Sequence, residues 1–150
     1  MSLRFHFIDA ADLVRKLERE RKRAWEAGCA SKKDDFCDHF FNFCVTAHAI
    51  RDWLKNSGKI PDAVDIHAIC NEIPELVACK DIANSNKHFD FQTKRKTRGA
   101  VISRSEVVDV FEDADGNLFP DEPRETIDIT VMLEDGKQRD LWEFTGLLII

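Results

Sequence analysis

No C-x-x-C pair, no nucleotide or hydrolase signature and no long apolar run occurs in this chain, and each absence removes a class of function. G-x-x-x-x-G-K-[ST], G-x-G-x-x-G, G-x-S-x-G and H-E-x-x-H are all missing, which counts against nucleotide hydrolases, dinucleotide oxidoreductases and zinc proteases. No window approaches the ~18 uninterrupted apolar residues of a membrane span, and the N-terminus lacks a basic-then-apolar leader layout. The expectation is a cytoplasmic protein with no membrane partner. The five cysteines, Cys29, Cys37, Cys44, Cys70 and Cys79, form an odd set, so neither a zinc ribbon nor a complete disulfide framework is written here. Cys37 and Cys44 share a helix face, with His39 and His48 nearby. His39, however, lies about 160° around the helix from Cys37, so core packing is preferred to metal binding, and neither metal nor cofactor is expected. Basic excess is missing too: 22 Lys and Arg against 28 Asp and Glu give a formal charge of −6, which opposes a general nucleic-acid scaffold. Lys94, Arg95, Lys96 and Arg98 make one local basic run.

What is present suits one core. At 150 residues and 43% hydrophobic content, two domains would each approach the lower limit of independent stability, so residues 1–150 read as a single domain. Asp9 or Asp12 caps a first helix carrying Leu13, Leu17 and Trp25, and Gly28 is expected to stop it. A second helix, about Lys33 to Lys55, carries Phe36, Phe40, Phe43, Ile50 and Leu54, with Asn42, Thr46, Arg51 and Asp52 as polar exceptions. Pro61-Asp62 opens a third through Ile66, Ile69 and Cys70, and Pro74 begins a fourth that runs to about Lys87, with Leu76, Val77, Cys79, Ile82 and Ala83 as its apolar stripe. Beyond Gly99 the period changes. Ile127, Ile129, Val131 and Leu133 alternate with polar residues as in a half-buried strand, and the run from Ala100 to Glu112 is its expected partner. Asp113, Asp115, Gly116 and Glu122 match part of a calcium-loop pattern, but Phe111 stands where an oxygen ligand is required, which leaves a plain Asp-Gly-Asn turn. Asp140 and Glu143 form a capping box for a last helix; the apolar end Leu147–Ile150 asks that helix to dock, unless the chain continues. The fold class is therefore α+β, mainly α: a four-helix bundle (10–90), an antiparallel β-hairpin (100–134) and a C-terminal helix (140–150).

The most informative stretch is Lys80-Asp81-Ile82-Ala83-Asn84-Ser85-Asn86-Lys87-His88. At about 100° per residue, Asp81 and His88 fall roughly 20° apart on one helix face, with Ser85 and Asn84 to either side. A strip holding a carboxylate, an amide, a hydroxyl and an imidazole needs partners or water, since an unpaired buried polar group costs about 1–3 kcal/mol. Short connections place consecutive helices side by side, so Asn42, Thr46 and Asp52 of the second helix are the expected partners. A merely solvated helix face remains the plain alternative.

A helical bundle whose later helix carries Lys80, then Asp81, then His88 followed by Phe89 resembles the HEPN superfamily (higher eukaryote and prokaryote nucleotide-binding domains) over roughly residues 10–90, with Lys80 in the place of the family's arginine. The resemblance implies dimeric helical bundles, many of them metal-independent ribonucleases and others that only bind nucleotides or partners. It further implies attack of an RNA 2′-hydroxyl on the adjacent phosphate. His88 would be general acid or base, Lys80 would offset phosphate charge, and Asp81, Asn84 and Ser85 would orient the imidazole or hold phosphate and ribose. Homodimerisation through the helical part is expected as well, because not all of Phe36, Phe40, Phe41 and Phe43 can face one small internal core. Two readings stay open: an RNA- or nucleotide-binding domain with ribonuclease activity, and a non-catalytic dimerisation or protein-interaction module.

Overall fold

The computed structural model describes residues 5–85 and 96–149. Helix α1 (Ala10–Cys29) starts where the Asp9 carboxylate accepts from the Asp12 N–H and the Asp12 carboxylate accepts from the Asp9 N–H, a reciprocal cap that satisfies two backbone donors at the helix start. Leu13, Leu17, Ala24 and Ala27 line its buried side. Gly28 does not stop this helix. The chain leaves the helical conformation at Ser31, which takes φ 56°, and Gly28 instead permits a close approach: a Cβ there would lie 2.5 Å from the Ile127 carbonyl oxygen.

Helix α2 (Lys33–Lys55) spans the expected residues and packs antiparallel on α1 through Phe36, Phe40, Phe43, Cys44 and Ala47. Phe36, Phe40 and Phe43 are all buried, while Phe41, the fourth phenylalanine of the set, is only half-buried. One polar seam runs between the two helices. The buried Glu20 carboxylate meets His39 Nδ1 at 2.8 Å, Arg23 at 3.2 Å and Lys16 at 3.7 Å, while Lys16 Nζ donates to Thr46 Oγ1 at 2.7 Å. Burial pulls the Lys16 ammonium below its ordinary pKa.

Four helices do lie in the region expected to form the bundle, but only α1 and α2 are long, so a four-helix bundle is not confirmed. Helix α3 (Ile66–Asn71) has six residues, capped by Asp65 rather than opened at Pro61, and α4 (Pro74–Ser85) has twelve. Residues 86–90 of that expected bundle lie outside the described residues. Val77, Ala78, Cys79 and Ala83 of α4 are buried, and Cys79 lies against Cys44 of α2 in the core cluster, where burial pushes the Cys44 thiol well above its usual range.

The missing layer is a sheet. Strand β1 (Gly99–Val107) pairs antiparallel with β4 (Arg124–Met132), Gly99 opposite Met132, and the short β5 (Gln138–Arg139) adds a third strand in the order β1-β4-β5. Between them β2 (Val110–Glu112) and β3 (Leu118–Pro120) extend the hairpin as a separate two-stranded ribbon, turned by Asp113, whose carboxylate accepts from the Asp115 and Asn117 N–H groups. The alternation read from the sequence holds: Ile127, Ile129, Val131 and Leu133 are buried and their neighbours are not. That face joins the cluster formed by α1, α2 and α4, so the hairpin is part of the core. Helix α5 (Leu141–Gly146), held by the Asp140–Glu143 capping box, closes the core with Leu141 and Phe144, whose ring lies 5.7 Å from that of Phe40. The fold is thus mixed α+β with an antiparallel sheet. No helix among the described residues is long and apolar enough to cross a membrane.

Candidate functional site

Asp81 and Lys80 are neighbours in sequence but, about 100° apart around α4, they look in different directions. Asp81 is buried, 5% exposed, and faces the chain entering β1, where its Oδ2 accepts from the Thr97 N–H at 2.9 Å and the Lys96 N–H at 3.1 Å. A carboxylate with two backbone donors is satisfied, so this residue ties α4 to the sheet. Ser85 satisfies itself by donating to the Ile82 carbonyl at 2.6 Å, and Asn84 is half-buried beside it. His88 lies outside the described residues, as do Lys87 and Phe89.

The expected partners on α2 are placed elsewhere. Asn42 is exposed and gives only its backbone carbonyl, to Thr46 Oγ1 at 2.8 Å, and Thr46 faces Lys16 of α1. Asp52 is exposed on another turn, 3.8 Å from His67 Nε2 and 4.0 Å from Arg51. Ten residues of helix separate Asn42 from Asp52, about 15 Å at 1.5 Å per residue, so the two cannot flank one small group. The structure therefore does not bring Asp81, Asn42 and Asp52 together.

It brings together a different set. Lys80 lines a notch of about 10 Å³ with Ala47, His48, Arg51, Cys70, Asn71 and Leu76, where α2, α3 and α4 meet. Lys80 Nζ reaches Asn71 Oδ1 at 3.4 Å, and an Arg51 guanidinium nitrogen lies 3.2 Å from His48 Nε2. Arg51 Nε is buried without a hydrogen-bond partner among the described residues. Burial raises the Cys70 thiol, and the Arg51 charge pulls the other way. A notch of this size holds one water-sized group, so an oxyanion would place a single oxygen in it, against two cations and an imidazole. Among the described residues no cluster of three or more His, Cys, Asp or Glu side chains is arranged to hold a metal.

His48 and Arg51 escaped the sequence reading as site residues, although their spacing of three on an otherwise apolar stretch puts them on one helix face. Nothing in the sequence said that this face meets Lys80, because that depends on how α4 seats on α2. Comparisons with family models, with curated proteins and with solved structures give no match.

Proposed function

We propose that this protein is an RNA- or nucleotide-binding, HEPN-like helical domain that receives phosphate at the Lys80–Arg51–His48 notch. The observation that carries the reading is the convergence of two cations and an imidazole from two helices, with the buried Arg51 Nε making no hydrogen bond among the described residues and only a 4.0 Å ion pair with Asp52. Buried donors without partners are rare, and a phosphate oxygen supplies what Arg51 lacks. In this reading the domain works as a homodimer and cleaves RNA without a metal. His88 removes the proton from the ribose 2′-hydroxyl as that oxygen attacks phosphorus, the P–O5′ bond breaks with the 5′-oxygen taking a proton from water, and Lys80 and Arg51 offset the charge on the phosphate. Asn84 and Ser85 contribute ribose or phosphate contacts at the end of α4.

One observation favours the non-catalytic module: the Asp81 carboxylate is already occupied by the Lys96 and Thr97 N–H groups and so is not available to orient an imidazole. The experiment is RNA binding and cleavage by the wild type, Lys80→Ala, Arg51→Ala and His88→Ala, with chelator present. Loss of binding in the first two variants, with cleavage lost and binding kept in the third, supports the ribonuclease. Binding without cleavage in the wild type reduces the reading to a phosphate-binding domain. A wild type that neither binds nor cuts leaves the interaction module.

A further inference from the structure

The hairpin outruns the body of the protein. Every residue from 108 to 125 is exposed, so neither face of the β2–β3 ribbon is covered. The register sets Phe111 opposite Phe119 on one face, with Val110 opposite Pro120 and Glu112 opposite Leu118 on the other. Phe111, Phe119 and Leu118 keep 59%, 54% and 67% of their surface in water. An isolated two-stranded ribbon is marginally stable, and clustered exposed apolar residues mark an interaction surface.

The arm is also where the charge is. Residues 108–123 hold six of the 28 carboxylate side chains and none of the 22 lysines and arginines, so the formal charge of −6 equals that of the arm and the rest of the chain balances to zero. The occupant that covers this arm is therefore apolar and cationic.

The same chain carries such a surface. Between α1 and α5 lies an open cleft of about 560 Å³ lined by Arg21, Arg139, Trp142, Glu143, Gly146 and Leu147. The Arg21 guanidinium lies 3.5 Å from the centre of the Trp142 ring, and Trp25 lies beside that ring at 5.1 Å. A Cβ on Gly146 would meet Arg21 Nη2 at 2.9 Å, so the glycine leaves room for the guanidinium. Trp142 and Leu147 in the cleft and Trp25 beside it are each about half exposed, and Arg21 is the cleft's cation without a carboxylate partner among the described residues, since Arg139 is held by Glu75 at 3.4 Å and Glu143 also lines the cleft.

We propose that the β2–β3 arm of one copy lies in the α1–α5 cleft of a second copy, and the reverse, in a twofold dimer. A contact of arm with arm would set six carboxylates against six, whereas arm in cleft pairs opposite charges and apolar groups. Two reciprocal contacts close the assembly without leaving a free binding surface. The inference is independent of the phosphate notch.

The test is sedimentation of the full chain over a concentration series, at about 0.05 M and about 0.5 M salt. The expected result is a dimer that weakens with salt, and that Phe119→Ser, Glu112→Lys, Trp142→Ala and Leu147→Asp each weaken by about tenfold or more while melting cooperatively. Leu147→Asp keeps the test valid if Trp142→Ala fails to fold. An equal mixture of Phe119→Ser with Leu147→Asp should associate more tightly than either alone, because one arm–cleft contact is then intact. A monomer at hundreds of micromolar, a dimer indifferent to the arm variants, or a mixture no tighter than its components would overturn the proposal. So would a monomeric chain whose arm captures an unrelated basic protein.

Discussion

Replacing Asp81 separates its structural part from any chemistry. Asp81→Ala removes the acceptor for two backbone N–H groups, one of them on Thr97, which is itself buried at 6% exposure. Hydrogen bonds to a charged group contribute about 1.5–3 kcal/mol each, and a buried donor left without a partner costs about 1–3 kcal/mol. The Lys96 N–H is only partly buried and recovers water, so the expected loss is about 3–4 kcal/mol, dominated by Thr97. For a chain of this size that is a fall of roughly 6–16 °C in the melting midpoint. Asp81→Asn keeps an acceptor oxygen in place and should cost only about 1–2 kcal/mol. Urea unfolding at neutral pH, followed by far-ultraviolet circular dichroism, measures both. A loss below about 0.5 kcal/mol for Asp81→Ala would refute the tie, because surface substitutions fall in that range. Equal losses for the two variants would show that the charge matters rather than the acceptor.

Other substitutions probe the rest of the fold. Gly28→Ala puts a methyl 2.5 Å from the Ile127 carbonyl oxygen, where only backbone movement relieves the clash, and should cost about 2–3 kcal/mol in urea unfolding. Glu20→Ala leaves Lys16 and His39 without their shared carboxylate at the α1–α2 seam, and a loss of about 3 kcal/mol is expected in thermal or urea melts. The Ile8 N–H, followed by Arg15, holds the Asp12 carboxyl down from 3.8 to about 2. A depressed carboxylate contributes stability that is present above its unfolded pKa and lost as pH falls through the folded one, so the contribution of Asp12 disappears between about pH 4 and pH 2. Asp12→Asn should therefore flatten that part of the stability–pH curve and leave the neutral region parallel to wild type.

The elements marked by their own residues were legible. The Asp9 and Asp140 caps, the Phe-rich α2 and the alternation from Ile127 to Leu133 each carry their structure in local spacing, and the structure places them where that spacing puts them. Gly28 was misread because a glycine near a helix end has two uses, left-handed geometry or close approach, and only the tertiary partner tells which. The sheet's place in the core was not legible for a related reason: alternation shows that one face of β4 is buried but not what covers it. The site failed at the same level. Helical spacing correctly put Asp81 on a face that needs partners, but those partners are backbone N–H groups, which leave no mark in a sequence because every residue from 96 to 97 would offer them.

The same limit explains why the notch at Lys80 had to come from the structure. Lys80 belongs to α4 and His48 and Arg51 to α2, with a loop and the six-residue α3 between them. Each helix taken alone shows a cation on a partly polar face, which describes most surface helices. What makes the three groups a candidate site is that Cys44 and Cys79 bring α2 and α4 together in the core, and that contact turns Lys80 toward Arg51 and Asp81 toward the strand. The apolar packing of one side of α4 therefore sets both the polar tie and the polar notch. A bulkier residue at Cys79, such as Cys79→Leu, should disturb both at once: it would weaken phosphate or RNA binding and shorten amide-exchange protection of the Thr97 N–H together. Overpacking of this kind costs about 1–3 kcal/mol. Loss of binding with Thr97 protection unchanged would show that the two are not set by the same contact.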